Sequence, residues 1–431
     1  MKNKKIKIVL IIIVLVIISE LIGMYIIYKK RDSKIVYIDT LNSINLVDDY
    51  YIGVGSSNFH NSRYIDMKIY NYNNNKVYAE QAKLVKYDNE LNIEFESTFD
   101  SKYDSTFYDS VSVDSNIYVV GSYVKDEKQI ELKVREGLLV KYDSFGKKIW
   151  SKDYQVLGDT EFKKIIDVSD GIVVVGQSIY ENLEIGNHDT GGGIIVKYDY
   201  DGNIIWFNNF GGNKSGIFND IIQVDDGYIC VGKDAVNYGL IVKYSLDGKR
   251  LWIKNYEFTD YYGMMDIKKK DDKLYIAGSY KKEENNHDAC IFIYDLNGEY
   301  IDKYTIGGSS DEKFNSVILL DNSLIGIGYT MSKDIKITGL KYHDKMSEGM
   351  LVEFDYSGKI INTKSYSGSK NETLNDIIVA KKTNENLVNK TNNYIVVGYT
   401  NSKTSLFKGN NKDYISRVLF YDNKLNLLEE K

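Results

Sequence analysis

Short apolar runs separated by polar turns repeat along this chain of 431 residues. Residues 218–255 show the unit, in which DIIQV, YICVG, LIVKYS and RLWIKN form four strand-like runs that we label A, B, C and D. Asp225-Asp226-Gly227 separates A from B, and Asp247-Gly248 separates C from D. Aspartate followed by glycine is typical of tight hairpins, because glycine tolerates the positive φ that such turns require. The pattern predicts four consecutive strands joined as antiparallel hairpins.

The unit occurs seven times, and an aromatic residue near the end of run C marks each copy. These marks lie 46 to 67 residues apart, at Tyr87, Tyr142, Tyr198, Tyr244, Tyr294, Phe354 and Tyr421. Repeats of this length indicate a propeller or a solenoid. Runs B and C are apolar on both faces, which requires a sheet on each side, whereas run D is more polar and suits an outer edge. We therefore expect an all-β fold, a seven-bladed β-propeller of four-stranded antiparallel blades, over residues 37–431.

The recurring pattern VKYDxxGxxxW resembles the repeats of bacterial β-propeller proteins of the PQQ-like and related types. The resemblance runs from about residue 37 onward, and it implies that a tryptophan on the outer strand docks between blades. That position holds Phe95, Trp150, Trp206 and Trp252 in copies one to four, and Asp302, Asn362 and Glu429 in copies five to seven. We therefore expect the docking contact to be absent from the last three copies. The resemblance does not imply the quinone, and we predict no cofactor.

The N-terminus carries a second kind of segment. Residues 8–28 are apolar except for Glu20, and at ~1.5 Å per residue they span roughly 31 Å, enough to cross a bilayer core. We predict an uncleaved transmembrane signal anchor there. It follows a short cytoplasmic stretch at 1–7 and precedes a linker at 29–36. The alternative is a cleaved secretory signal, but no small-residue cleavage site follows the apolar run. We expect a single-pass protein of the bacterial cell envelope, with the propeller on the extracytoplasmic side.

How the ring closes is left open by the sequence. The segment KIVYI at 34–38 has the pattern of an outer strand and could complete the last blade. The last copy also carries its own candidate outer strand, LNLLEE.

The net charge and the number of cysteines limit which partners and which disulfides the chain can have. The net charge of -6, without a long basic run, argues against nucleic acid as a partner. Cys230 and Cys290 are too few for a disulfide framework. They form either one bridge or two buried thiols.

The B–C loops are long and differ among the copies, and variable loops on a repeated scaffold are the usual place for binding. All four histidines lie in these loops or at their edges, and three of them precede an aspartate. The resulting pairs are His188 with Asp189, His287 with Asp288 and His343 with Asp344. They could form a metal site or acid–base pairs, or they could be polar loop residues without a common role. We predict no metal set and no catalytic set from them, and we keep them as binding-face candidates.

Tyrosines are dense in the first B–C loop, where Tyr64 stands among asparagine and lysine residues. Tyrosine offers contact area and a hydroxyl group, so Tyr64 is a further binding-face candidate. With 38 tyrosines in the chain, composition alone is the competing explanation.

Four carboxylates recur at one position that precedes each A run, at Asp109, Asp220, Asp266 and Asp376. Ser43, Lys164 and Ser316 hold the same position in the other copies. Innermost strands of a propeller line its channel, so these carboxylates could bind a cation at the channel mouth. They could instead bond backbone N–H groups at the strand ends.

From these features we expect a binding or scaffolding module for a protein or an envelope polymer, rather than an enzyme. The alternative is a surface glycan hydrolase or lyase that uses the B–C loop face. Propellers serve many unrelated activities, so the fold alone does not decide between the two.

Overall fold

The computed structural model of the chain describes residues 39–58, 69–72, 75–132, 134–154, 158–180, 192–210, 216–234, 238–256, 259–283, 286–381, 393–401 and 414–431. The predicted anchor at 8–28 and the segment KIVYI at 34–38 lie outside these residues. In the part of the chain that the structure describes, no helix is long and apolar enough to cross a bilayer.

The described residues form thirty strands and one short helix, arranged as seven four-stranded sheets and one two-stranded hairpin. The first sheet and the hairpin within its B–C loop comprise β1 (Asp39–Val47), β2 (Tyr50–Ser57), β3 (Ile69–Tyr72), β4 (Asn75–Tyr78), β5 (Gln81–Tyr87) and β6 (Ile93–Thr98). The second comprises β7 (Ser105–Val113), β8 (Asn116–Tyr123), β9 (Glu136–Asp143) and β10 (Lys148–Tyr154), with helix α1 (Glu127–Leu132) between β8 and β9. The third comprises β11 (Gly158–Val168), β12 (Gly171–Tyr180), β13 (Gly192–Tyr198) and β14 (Ile204–Phe210).

The remaining four sheets repeat the same order. They comprise β15 (Ile217–Val224), β16 (Gly227–Lys233), β17 (Gly239–Ser245) and β18 (Arg250–Tyr256); β19 (Thr259–Lys270), β20 (Lys273–Glu283), β21 (Asn286–Asp295) and β22 (Tyr300–Ile306); β23 (Glu312–Leu319), β24 (Ser323–Thr330), β25 (Glu348–Asp355) and β26 (Ile360–Tyr366); and β27 (Glu372–Val379), β28 (Tyr394–Thr400), β29 (Ile415–Tyr421) and β30 (Leu427–Glu430). Pairing within each sheet is antiparallel and follows chain order, which confirms seven blades with strands A to D.

The ring closes through the innermost strands. Each A strand contacts the A strands of both neighbouring blades, and β1 packs against β27, β28 and β29 of the last blade. Strand β30 supplies the outer strand of blade seven, so each blade is built from one continuous stretch of chain. Of the two alternatives that the sequence left open, the structure shows the one in which the last copy carries its own D strand.

Burial follows the expected gradient across each blade. In blade four, β16 is buried along all but its last residue, and β17 is similarly enclosed, whereas β18 alternates between exposed and half-buried residues. Seven hydrophobic clusters lie between successive blades, including the one that joins Leu41 and Val85 of blade one to Val397 and Val418 of blade seven. Cys230 and Cys290 are free and buried in this packing, so the bridge is excluded in favour of two thiols.

The aspartate of the Lys-Tyr-Asp signature shapes the C–D turn. In blade three, Oδ1 of Asp199 accepts the backbone N–H groups of Asp201 and Asn203, at 3.0 and 2.8 Å. The same double contact recurs at Asp88, Asp143, Asp295, Asp355 and Asp422, and the hydroxyl of Ser245 accepts one N–H in blade four. The aspartate of the signature therefore stabilises the C–D turn, because its side chain accepts N–H groups that the hairpin leaves unpaired.

The outer-strand aromatic residues dock on the C–D turn of the next blade. Trp206 lies against Gly248, which has a φ of 82°, so the turn adopts a left-handed conformation and leaves room for the ring. Phe95, Trp150 and Trp252 lie in the same way against Gly146, Gly202 and Gly298. Docking by the first four blades is thus as expected from the repeat.

The expectation that docking is absent from the last three copies is wrong for the fifth copy. In blade five, Tyr304 replaces the missing aromatic residue and lies against Gly358, and its hydroxyl donates to the carbonyl of Tyr356 at 2.7 Å. Tyr304 stands two residues after Asp302, on the same face of the strand. In blades seven and one, Leu425 and Leu91 take the turn position, each with a φ of 60° and a buried side chain that fills the space. Docking of an outer-strand aromatic residue on the next turn is therefore seen from blades one to five.

Candidate functional site

The predicted carboxylates lie on the innermost strands, at a position that we call the inner ring: Ser43, Asp109, Lys164, Asp220, Asp266, Ser316 and Asp376. Each follows a bulge within its A strand rather than preceding the strand, as the sequence had suggested. A bulge adds one residue without a partner and redirects the side chains around it. The shared bulge therefore brings seven equivalent side chains to the channel wall.

The inner-ring carboxylates bond from one blade to the next. Each of the four aspartates accepts a backbone N–H group from the neighbouring A strand. The pairs are Asp376 with Ile44, Asp109 with Ile165, Asp220 with Ile267 and Asp266 with Val317, at 3.0, 3.2, 2.8 and 2.8 Å. The hydroxyl of Ser43 donates to Asp109 at 2.7 Å, and that of Ser316 lies 3.1 Å from Asp376. Together these contacts join most of the blades around the channel.

Two lysines balance part of this negative charge. Lys164 lies 3.3 Å from Asp109, and its side chain is 25% exposed. Burial alone would lower the pKa of Lys164, but the four inner-ring carboxylates outweigh burial and raise that pKa well above its usual value. Lys268, on the same strand as Asp266, bonds that carboxylate and lies 4.0 Å from Asp220. The ammonium groups therefore serve as counter-ions within the channel.

The pKa values of Asp220 and Asp266 are shifted in opposite directions. Burial raises the pKa of Asp220 to about 8. Burial also opposes the charge of Asp266, but Lys268 and a hydrogen bond from Asp220 outweigh it and lower the pKa of Asp266. Burial and Lys268 therefore shift the pKa values of the two carboxyl groups in opposite directions. Within the described ranges, no group of three or more histidine, cysteine, aspartate or glutamate side chains is placed to hold a metal ion.

A cavity of about 560 Å³ opens beside the channel on one face of the ring. This face carries the B–C loops and the D–A connections, and we call it the loop face; the opposite hairpin face carries the A–B and C–D turns. The cavity wall comes from blades five to seven and from blade one, and includes Asn42, Asn315, Asn375, Lys313, Tyr329 and Tyr399. The loop face therefore holds a depression beside the channel.

The three asparagines have fixed orientations. Asn42 donates Nδ2 to the carbonyl of Phe107 at 2.7 Å, and Asn315 donates to that of Leu374 at 2.7 Å. Asn375 donates in the same way to the carbonyl of Leu41, at 2.8 Å. Each contact crosses to the next blade and ends on the bulged segment, so the amide planes are held by the ring itself.

The loop between β24 and β25 borders this cavity and is well packed. Met331 and Ser347, at its two ends, belong to the cavity wall. Ile335 and Ile337 are buried against the core of blades five and six. The carbonyl of Thr338 accepts the N–H group of Ser365 at 3.0 Å, which ties the loop to strand β26. A long loop that packs its own side chains in this way presents a defined surface.

The two described histidines contact carboxylates from elsewhere in the chain. His287 lies in strand β21 rather than in a loop, because β20 and β21 pair along their length as far as Glu283 and Asn286. Its Nδ1 is 2.8 Å from Asp311, while Asp288 lies 3.8 Å from Lys282. His188, Asp189 and Tyr64 lie outside the described residues.

His343 remains in a loop and reaches a buried acid. Its Nδ1 is 2.7 Å from Oε1 of Glu348, whereas Asp344 accepts the hydroxyl of Tyr342 at 3.1 Å. The side chain of Glu348 is 0% exposed, and that of His343 is 37% exposed. Burial raises the pKa of Glu348 to about 7, and the neighbouring Glu372 adds to the rise. Glu348 and Glu372 were not among the residues predicted from the sequence, although each is the first residue of a strand.

A second cavity lies where the ring closes. It measures about 440 Å³ and lies between blades seven and one, with Asp39, Lys83 and Ser416 in its wall. Lys83 and Ser416 both bond Asp39, and Lys83 is buried. Ser416 belongs to β29 of blade seven and Asp39 to β1 of blade one, so their hydrogen bond crosses the closure of the ring.

Comparison with known proteins supports the fold. No family model matches the chain, and no curated protein matches it. Among solved structures, the Dos1 propeller is similar, with a TM-score of 0.50, 12% identity, and coverage of 92% of this chain and 85% of that one. The Pan2 WD40 domain of Neurospora crassa has a TM-score of 0.48 and 10% identity, over 83% of this chain and 85% of that one. At such identities the likeness concerns the fold alone.

Proposed function

We propose that this chain is a membrane-anchored, extracytoplasmic β-propeller that serves as a binding or scaffolding module for a protein or an envelope polymer. The loop-face cavity carries the proposal. It is bordered by the packed loop 331–347 and lies on the face where the blades differ most in loop length. Concave sites with a few oriented polar groups are the usual places for ligands.

The anchoring part of the proposal rests on the apolar segment at 8–28 and the basic residues around it. The test is alkaline extraction of membranes from cells that express the full chain. We expect the protein to stay in the membrane pellet, and a variant without residues 1–33 to be released. Added protease should digest the propeller in intact cells stripped of their outer layers if it lies outside the membrane. Release of the full chain by alkali would refute the anchor.

Binding by the loop face is tested with charge reversals on opposite faces. Lys333 and Lys336 are exposed in loop 331–347, whereas Lys147 and Lys359 are exposed in C–D turns on the hairpin face. The tagged full chain is used to capture components of an envelope extract. We expect K333E/K336E to lose a captured component that K147E/K359E retains. Capture that is indifferent to the loop-face changes, or that fails only with the hairpin-face changes, would contradict the proposal.

The second candidate function is glycan hydrolysis or elimination, and the His343–Glu348 contact favours it. A buried carboxylic acid with a pKa of about 7 beside a histidine is suited to proton transfer at neutral pH. The test is release of new reducing ends or unsaturated products from envelope polysaccharides. Activity lost in Glu348→Gln, with folding preserved, would favour this function over a pure binding role. Glu353→Gln, on the same strand, is the matched control.

A further inference from the structure

The loop-face cavity has walls that are polar but carry little charge. Amide, hydroxyl and tyrosine groups dominate its wall, together with two methionines, and Lys313 supplies the one charged group among the lining residues that the structure describes. A site for a cation would require carboxylates, and a site for a strongly anionic group usually clusters arginine or lysine. The wall therefore favours a ligand that is uncharged and rich in hydrogen-bonding groups.

The amides of this wall are oriented before any ligand arrives. Asn42, Asn315 and Asn375 each use Nδ2 for a carbonyl of the next blade, which fixes the plane of the amide. Fixed amides lose little conformational entropy on binding, so their oxygens act as preorganised acceptors. Thr373, which also lines the cavity, adds a hydroxyl that can donate or accept. The wall thus offers amide oxygens that accept hydrogen bonds and a hydroxyl that can donate or accept. These groups match the hydroxyl groups of a ligand, because a hydroxyl also both donates and accepts.

Two tyrosines provide apolar surface in the same cavity. Tyr329 and Tyr399 occupy equivalent positions on the B strands of blades six and seven. The Tyr399 ring is braced by an edge contact with Tyr414, with ring centroids 5.4 Å apart. Aromatic faces carry negative charge density and attract the polarised C–H groups of a sugar ring. The combination of aromatic faces and fixed amides thus suits a pyranose.

We infer that this cavity binds an uncharged sugar residue of an envelope polysaccharide. The inference rests on the proposed binding function and names its ligand class. A volume of about 560 Å³ lies within the range of small-ligand sites and accommodates one or two sugar rings. An extended peptide is less well matched, because it would seek a strand edge or a long groove rather than a single depression of this size.

The test is saturation-transfer NMR of the full chain with named sugars. The probes are glucose, galactose, mannose, N-acetylglucosamine and their disaccharides, with glucuronic acid and glucosamine as charged comparisons. We expect a neutral sugar to bind with a dissociation constant below about 10 mM. Tyr399→Ala should weaken it about tenfold or more, and Thr373→Val, which keeps the side-chain shape, should also weaken it. Tyr342→Ala, on the same face but outside the cavity wall, is the control and should bind normally.

Three results would overturn the inference: no neutral sugar binds, a charged sugar binds best, or binding is unchanged in both Tyr399→Ala and Thr373→Val. The thermal transition of each variant is measured in parallel, so that a folding defect is recognised. The capture experiment with K333E/K336E separates the two proposals. If that capture remains dependent on the loop face while no sugar binds, the binding function stands and the sugar ligand is wrong.

Discussion

The docking of Trp206 on Gly248 gives a sharp test of how the blades are held together. A Cβ atom at Gly248 would lie 2.5 Å from Cε3 of the Trp206 ring, and the residue has a φ of 82°. Gly339 has nearly the same φ, 81°, but the nearest atom to its Cβ position is 3.6 Å away, on Ser365. The two glycines therefore share the backbone strain that alanine would suffer and differ in steric crowding.

We expect Gly339→Ala to cost about 1–2 kcal/mol, the usual penalty for alanine in the left-handed region. Gly248→Ala should cost the same plus about 1–3 kcal/mol for displacing the ring. The free energy of unfolding is measured by urea denaturation followed by circular dichroism, so that changes at tryptophan do not alter the signal. In the Trp206→Ala background, Gly248→Ala should cost only the backbone penalty. The double-mutant cycle then isolates the docking contact.

Equal losses for Gly248→Ala and Gly339→Ala would refute the reasoning, because crowding would then contribute nothing. Additive costs of Trp206→Ala and Gly248→Ala would do the same. Either result would mean that the outer-strand ring does not press on the turn of the next blade.

Three further predictions concern the ring, a turn and a buried acid. Asp266→Ala should lose about 3–5 kcal/mol in urea denaturation, because it leaves the buried N–H group of Val317 without its acceptor and Lys268 without its counter-ion. Asp247→Ala, in an exposed turn, should leave the curve essentially unchanged. Leu425→Gly should lose about 2–4 kcal/mol, because deletion of a fully buried side chain outweighs relief of its positive φ. The pKa of Glu348 rises from 4.5 to about 7 on folding, so the folded chain keeps a proton that the unfolded chain releases, and stability from this group falls as pH rises through that window. Glu348→Gln should flatten this fall in the thermal transition measured from pH 4.5 to 7.

Each of these three predictions can be contradicted by experiment. A stable Asp266→Ala variant would mean that the inner ring does not join the blades. A gain in stability for Leu425→Gly would show that its side chain fills no needed space. An unchanged pH dependence in Glu348→Gln would place that titration on other groups, with Asp220 as the first candidate.

The architecture was predictable because its signals are local. Alternating and continuous apolar runs, Asp-Gly turns and a sevenfold repeat specify strands, hairpins and their number without reference to distant contacts. The aspartates Asp109, Asp220, Asp266 and Asp376 were also identified by position alone. Their bonding was one of two alternatives, since strand capping and cation binding use the same side chain.

Other features depend on contacts that a single sequence does not contain. Tyr304 substitutes for a missing tryptophan two residues earlier, and the substitution is visible only when the strand register is known. The bulge that directs the inner ring adds one residue to each A strand and leaves no mark in the hydrophobic pattern. The raised pKa of Glu348 comes from burial and from Glu372, 24 residues away, which the fold brings close. The sequence predicted His287 at the edge of a B–C loop, because its polar neighbours give no sign that strands β20 and β21 are so long.

The most direct test of binding by the loop face is photocrosslinking in living cells. A benzophenone amino acid is placed at Lys336 on the loop face and, in a second variant, at Lys147 on the hairpin face, both of which are exposed. We expect a discrete crosslinked product from position 336 after irradiation, and none from position 147. A product from position 147 alone, or none from either position, would contradict the assignment of the loop face as the binding surface.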